Sequence, residues 1–348
     1  MIYSNIGNSS LNVSKIALGS MTWGEQNTEA EAFEQMDYAI DHGVNFFDVA
    51  EMYPVPPKPE TFGESEVIMG KWLAARGARD KLVITSKVTG ASNRNRGVNY
   101  IRSGASLNHE QIEAACNDSL KRLQTDYLDL YQLHWPERAT NFFGKLNYQH
   151  QPKEDGVSIE ETLEAASKLV HAGKVRHIGI SNETAWGLMT YLRLGELPSN
   201  VKIISIQNPF NLLNRTAEVH LSECCLRENI GFLAYSPLAF GKLTGKYLAG
   251  AKPAKARLSL YERFTRYEKV NCEEATAAYV ALADELDLSP ATMALAYVNQ
   301  HPLVCSDIIG ATSVAQLQEN IASVNVTLDG STLAAIEEIH QRYPNPAP

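Results

Sequence analysis

The sequence predicts an α/β fold of the (β/α)8 TIM-barrel type, with an N-terminal β-hairpin and long loops at the C-terminal face. Three observations point there. Short apolar runs and amphipathic helical stretches alternate strictly, eight times, along 348 residues. The runs are mostly continuously apolar, as parallel strands covered on both faces should be. The long connections follow strands, which puts them at the face where barrel enzymes keep their sites. Eight units in one chain favour a closed barrel over an open sheet. With no break in composition, residues 1–348 are expected to form one domain.

Residues 1–15 read as a hairpin. Ile2 and Tyr3, then Leu11 and Val13, flank the turn-rich Gly7-Asn8-Ser9-Ser10, and a lid over one barrel end is its expected role. Strands are predicted over residues 15–19, 45–49, 82–87, 127–134, 175–180, 203–207, 231–235 and 306–310. The first helix, 28–42, opens on Thr28 with Glu31 completing a capping box, and Gly43 stops it. In the helix over 64–76, Val67, Ile68, Met69, Trp72 and Leu73 give a 3.6-residue period. Further helices are predicted over 109–123, 158–172, 184–194, 216–229, 273–286, 291–298, 314–324 and 331–342. The long connections are 53–63, 88–108, 135–157 and 242–272.

Hydrophobic residues make up 44% and charged residues 20%, as in ordinary globular enzymes. The net charge is −9 and no basic run interrupts the chain, which argues against nucleic acid and anionic membrane as partners. An anionic cofactor therefore needs a local cationic pocket. The five cysteines (116, 224, 225, 272 and 305) show no zinc spacing, so no metal site is expected. Their odd number fits a reducing compartment. With no secretory leader and no apolar run of 18 residues, the expected location is the cytoplasm. Nothing in the sequence specifies an oligomeric state.

The polar residues at the strand ends carry the chemistry. Strand two ends at Asp48, with Tyr53 beyond it. Strand three ends at Lys87, and strand four at His134. Strand five ends at Ser181-Asn182, strand six at Gln207-Asn208, and strand seven at Tyr235-Ser236. One carboxylate at a strand end is usually a helix cap, and one lysine a solvated rim charge. Four titratable groups on three consecutive strand ends of a barrel converge on one mouth. Their chemistry is proton transfer to a carbonyl oxygen. A phenol titrates near ~10, and a nearby ammonium is expected to lower it. Asp48 would hold Lys87, and His134 would orient the carbonyl.

At these residues the sequence resembles the aldo-keto reductase superfamily, over residues 2–342. The family tetrad of Asp, Tyr, Lys and His is matched by Asp48-Val49-Ala50-Glu51-Met52-Tyr53, by Lys87 in Ile84-Thr85-Ser86-Lys87, and by His134 in Gln132-Leu133-His134-Trp135. The strand-five segment Gly173-Lys174-Val175-Arg176-His177-Ile178-Gly179-Ile180-Ser181-Asn182 matches as well. Through Ala50-Glu51-Met52-Tyr53-Pro54-Val55-Pro56-Pro57 it is most similar to the bacterial Tas-type branch.

The resemblance implies a small carbonyl substrate, NADPH rather than NADH, and Tyr53 as proton donor. It implies that Ser20, Met21 and Asp48 lie beside the cofactor, and that Ser181, Asn182 and Gln207 hold the nicotinamide carboxamide. Tyr235 would stack on the ring. The run Ser236, Pro237, Leu238, Ala239, Phe240, Gly241, Lys242, Leu243 and Thr244 would wrap the pyrophosphate, and Gly310, Thr312, Gln316, Glu319 and Asn320 would hold the adenosine end. Well-known members clamp the 2′-phosphate with a lysine and an arginine near this last segment. This chain has Gly310 and Gln316 there, so Lys246 and Arg257 are expected to supply the charge. Trp23 and Trp135 are candidate substrate contacts, while Tyr131 and Phe142 fit either pocket or core. The alternative function is a cofactor-binding regulatory module with little turnover, like the channel β subunits, whose branch lacks the histidine matched by His134. An open-sheet dehydrogenase would need Gly-x-Gly-x-x-Gly after the first strand, and Gly19-Ser20-Met21-Thr22-Trp23-Gly24 does not match it.

Overall fold

The computed structural model describes residues 1–77, 79–94, 96–151 and 156–348. Two short strands, β1 (Tyr3–Asn5) and β2 (Asn12–Ser14), pair as the expected antiparallel hairpin. Eight parallel strands follow: β3 (Ile16–Gly19), β4 (Phe46–Asp48), β5 (Val83–Val88), β6 (Leu128–Leu133), β7 (Val175–Ser181), β8 (Ile203–Pro209), β9 (Gly231–Tyr235) and β10 (Val304–Ile309). They close in chain order, with β10 returning to β3. The (β/α)8 barrel is therefore the observed fold.

The register explains which side chains face inward. In a parallel sheet, paired residues share a face. Lys87 pairs with Gln132, Gln132 with Gly179, and Ser181 with Gln207. One inward layer at the C-terminal end is thus polar. Below it, Ala17, Phe46, Val83, Leu130, Ile204, Leu233 and Ile308 form an apolar layer, and Ile6, Leu11 and Val13 of the hairpin join that cluster. The hairpin is a plug for the N-terminal end. Gly7 makes this possible. Its φ is +52°, and a Cβ there would meet Asn229 O at 2.6 Å and Ile204 O at 2.7 Å.

The helices pack outside. The helix α1 (Glu29–Asp41) carries the full capping box between Thr28 and Glu31. Then come α2 (Glu64–Arg76), α3 (His109–Leu123), α4 (Ile159–His171) and α5 (Ala185–Leu194). The helix expected over 216–229 is divided: a 3-10 turn, Thr216–Glu218, precedes α6 (Leu221–Glu228). Arg215 pins that turn by pairing with both Glu218 and Glu337. The loop after β9 contains a short helical turn, α7 (Arg257–Leu260). It leads into α8 (Cys272–Glu285), α9 (Pro290–Gln300), α10 (Val314–Ala322) and α11 (Gly330–Arg342). No helix among the described residues is long and apolar enough to cross a membrane.

Gly70 sits where α2 crosses α3. A Cβ there would lie 2.1 Å from Arg122 O and 2.8 Å from Leu123 C. Helix propensity favours alanine at an interior glycine by about 1 kcal/mol, but backbone overpacking costs about 1–3 kcal/mol. Gly70→Ala should therefore lower the thermal midpoint, and a raised midpoint would show that propensity wins.

Candidate active site

A cavity of about 880 Å³ opens at the C-terminal mouth of the barrel. Asp48, the last residue of β4, is the hub of its floor. Its Oδ2 accepts from Lys87 Nζ at 2.6 Å, and its Oδ1 from Gln207 Nε2 at 2.9 Å and Gln132 Nε2 at 3.4 Å. Lys87 Nζ also donates to Val49 O at 2.9 Å. The pair is sealed, with side-chain exposures of 0% for Lys87 and 3% for Asp48. Burial lowers Lys87 from its ordinary value, and the charge and hydrogen bond of Asp48 oppose that shift.

Tyr53 stands above this pair, with its ring centroid 4.8 Å from Lys87 Nζ. His134 faces it edge-on, at 5.7 Å between ring centroids. Both line the cavity. The loop carrying Tyr53 is held by Glu51, a wholly buried acid. Its carboxylate accepts from Thr89 N and is gripped by both Nη1 and Nη2 of Arg102.

The phenol does not follow the sequence expectation. Burial raises Tyr53 well above its ordinary value, and the negative charge of Asp48 adds to the rise. The Lys87 ammonium, 4.8 Å from the ring and paired with Asp48 at 2.6 Å, does not outweigh these two. Burial first, then the Lys87 charge, hold His134 well below the ordinary histidine value, so its ring is neutral. Its Nδ1 is sealed without a partner.

The expected carboxamide residues are already wired together. Ser181 Oγ donates to Gln207 O at 2.9 Å, and Asn182 Nδ2 donates to His134 O at 2.9 Å. The Tyr235 hydroxyl donates to Asn182 Oδ1 at 2.6 Å. Asn182, Gln207 and Tyr235 line the cavity, as do Ser20 and Met21. Ser20 Oγ donates to Asp48 O at 3.0 Å. Ser181 and Lys87 lie beneath the lining.

The loop after β9 supplies Ser236, Pro237, Leu238, Phe240, Gly241 and Thr244 to the cavity wall. Positive φ angles at Ser236, Ala239, Phe240 and Gly241 fold it tightly. That fold turns Ala239 and Leu243 into the core, and Lys242 is also off the cavity wall. Gly310, Thr312, Gln316, Glu319 and Asn320 line the far arm. There Gln316 Oε1 accepts from Thr312 N at 3.0 Å, and Asn320 Nδ2 donates to Gly310 O at 3.3 Å.

Lys246 and Arg257 both line the cavity. Burial lowers both, and the Arg257 charge lowers Lys246 further. Among the described residues no carboxylate pairs with either. An acidic protein thus presents a cationic arm in this cavity, and an anionic nucleotide fits that arm.

Trp135 lies at the cavity wall with its Nε1 on Ala91 O at 3.1 Å, and Phe142 joins it there. Trp23 is different from the expectation. It is fully buried in the main core, with Nε1 donating to Gln35 Oε1 at 3.1 Å. The turn made by Trp23 N on Ser20 O and Gly24 N on Asn27 O swings the indole under α1, away from the mouth. Tyr131 also belongs to the core. The sequence reading missed Gln132, Thr85, Glu51 and Arg102. The signal for Gln132 was a lone amide in a strand otherwise reading as core.

An eight-stranded barrel with a buried acid–lysine pair under a tyrosine and a histidine defines an oxidoreductase type of site. The aldo/keto reductase family profile matches residues 15–341. The chain is 53% identical over 349 residues to Protein tas of Escherichia coli, covering all of both chains. It is 35% identical to the uncharacterized oxidoreductase YrpG of Bacillus subtilis, over 99% of this chain and 97% of that one. It is 32% identical to a probable voltage-gated potassium channel subunit beta of Arabidopsis thaliana, over 99% and 98%. The chain belongs to the aldo/keto reductase family.

Breaking a buried ion pair from one side costs roughly 3–5 kcal/mol. Lys87→Met should show such a loss in urea denaturation of the cofactor-free protein. The double variant Asp48→Asn/Lys87→Met should recover part of it. Equal losses in both would contradict the burial argument.

Proposed function

We propose that this chain is an NADPH-dependent reductase of aldehydes or ketones, with Tyr53 as the proton donor. The observation that carries the reading is the stacking of groups at one point. A sealed Asp48–Lys87 pair lies under Tyr53, with a neutral His134 across from it. When bound, reduced nicotinamide supplies a hydride to the carbonyl carbon. The chain's residues handle the oxygen. His134 donates a hydrogen bond that orients the carbonyl. Tyr53, kept protonated through the neutral range by its burial, gives its proton to the oxygen as the C–O double bond becomes single. Lys87, 4.8 Å from the ring, stabilises the phenolate that remains, and Asp48 holds Lys87 in place. Tyr53 lines the open cavity, so solvent returns the proton there after product leaves.

The cofactor preference rests on Lys246 and Arg257. Two neighbouring half-buried or buried cations repel each other, and a dianionic 2′-phosphate relieves that repulsion where a ribose hydroxyl does not. Asn182, Gln207 and Tyr235 suit the nicotinamide end, and Gln316, Glu319 and Asn320 the adenosine end. The loop from Ser236 to Thr244 suits the pyrophosphate between them, since tight positive-φ turns direct backbone amides at anions.

Tyr53→Phe should keep cofactor binding in a fluorescence titration while reduction falls about 10²- to 10⁴-fold, the usual worth of a general acid. Turnover within a few fold of the parent would remove Tyr53 from the mechanism. Arg257→Met should weaken NADPH roughly tenfold, as expected for a charged hydrogen bond, and NADH much less. Parent protein that takes NADH as readily as NADPH would overturn the cofactor assignment.

A further inference from the structure

The cofactor reading leaves some cations of the cavity unused, and the half-buried Arg266 is one of them. Arg266 lies on the loop between α7 and α8 and lines the cavity. Its Nη1 donates to the Tyr235 hydroxyl at 3.2 Å, and it also bonds the Tyr267 hydroxyl. The guanidinium sits 5.4 Å from the Phe143 ring and 5.8 Å from the Phe240 ring. Among the described residues no carboxylate pairs with it. A guanidinium has five N–H donors. The two phenols engage only part of them, and none of its nitrogens is sealed off without a partner. The residue lines the cavity, where donors that the phenols leave free are within reach of a ligand.

It shares the Phe240 ring with Arg257, which lies 5.4 Å from it, but its other contacts lead toward the loop after β6. Phe143 belongs to the loop after β6, and its ring lies 5.7 Å from Trp135, which lies 5.0 Å from His134. Arg266 thus ends an aromatic wall that begins at the carbonyl-orienting histidine. Lys246 instead lies beside Gly241, where a Cβ would meet its Nζ at 2.9 Å, and interacts with Arg257. Lys269 joins the Arg266 side, with Nζ on Gly144 O at 2.9 Å. It also bonds Pro348 O at 3.1 Å.

We propose that the substrate is a carbonyl compound bearing a carboxylate, and that Arg266 binds that carboxylate while the carbonyl oxygen meets Tyr53 and His134. The inference rests on the reductase reading above. A half-buried guanidinium bonded only to phenols gains a charged partner when a ligand carboxylate binds. The planar fork matches a carboxylate with two parallel hydrogen bonds, which an ester or alcohol cannot provide. The rings of Trp135, Phe142 and Phe143 suit the apolar body between the two ends.

The test compares 4-formylbenzoate with its methyl ester, which keeps the shape and removes the charge. Binding of each to NADP⁺-loaded parent protein is measured by calorimetry, and kcat/KM of each with NADPH. The carboxylate should bind and react roughly tenfold better or more, the worth of a charged hydrogen bond. Arg266→Gln should erase that preference, and Arg266→Lys should retain part of it. Equal binding of the two aldehydes by the parent overturns the proposal, and so does an equal drop for both in Arg266→Gln, which would mark a merely structural arginine. If the parent reduces both equally well, only this inference falls. If it binds and reduces neither, the reductase reading falls with it.

Discussion

The site depends on one ion pair. Asp48 and Lys87 meet at 2.6 Å inside a barrel mouth that admits almost no water to them. Neither charge is tolerable there alone, because taking an ion out of water costs several kcal/mol that only a well-placed partner offsets. The barrel supplies more than the partner. Gln207, 159 residues away in sequence, donates to the other oxygen of Asp48, with Gln132 behind it. Val49 O takes a second proton of Lys87. These contacts fix the ammonium under the Tyr53 ring, and the rest of the cavity floor is arranged around that placement.

Around this floor the cavity has two electrically distinct arms. One runs along the loop after β9 toward Gln316 and Asn320 and carries Lys246 and Arg257. The other runs along the aromatic residues after β6 and ends at Arg266. Asn182 and Tyr235 stand between them. The Tyr235 hydroxyl donates to Asn182 and accepts from Arg266, so the group between the arms is bonded to the guanidinium of one of them. An overall charge of −9 makes such local concentrations of cation informative. They are maintained against the field of the rest of the molecule.

Much of this was legible in the chain. The alternation of apolar runs and helices gave the barrel, and the polar residue at each strand end gave Asp48, Lys87 and His134, because barrel closure sends strand ends to one mouth. Tyr53 was legible through its spacing from Asp48. Trp23 was misplaced because its position after a strand says nothing about the direction its ring takes; the turn from Ser20 to Asn27 decides that. Gln132 was passed over because one amide in a buried strand looks the same as core until the register shows which face it occupies.

The sequence by itself determined the fold class and pointed to the four polar groups that meet at the cavity floor, since both are written in local periodicity and spacing. Only the tertiary structure decided how those groups are tuned. The phenol of Tyr53 rises rather than falls because burial and Asp48 outweigh a lysine whose charge is already matched. The division of the cations between two arms was likewise invisible in the chain. Arg257 and Arg266 are nine residues apart, and the folding of one loop brings both against the Phe240 ring, at 5.4 and 5.8 Å, with Arg257 beside Lys246 and Arg266 beside Phe143. Desolvation and distance between remote segments are properties of the closed barrel, and no local pattern encodes them.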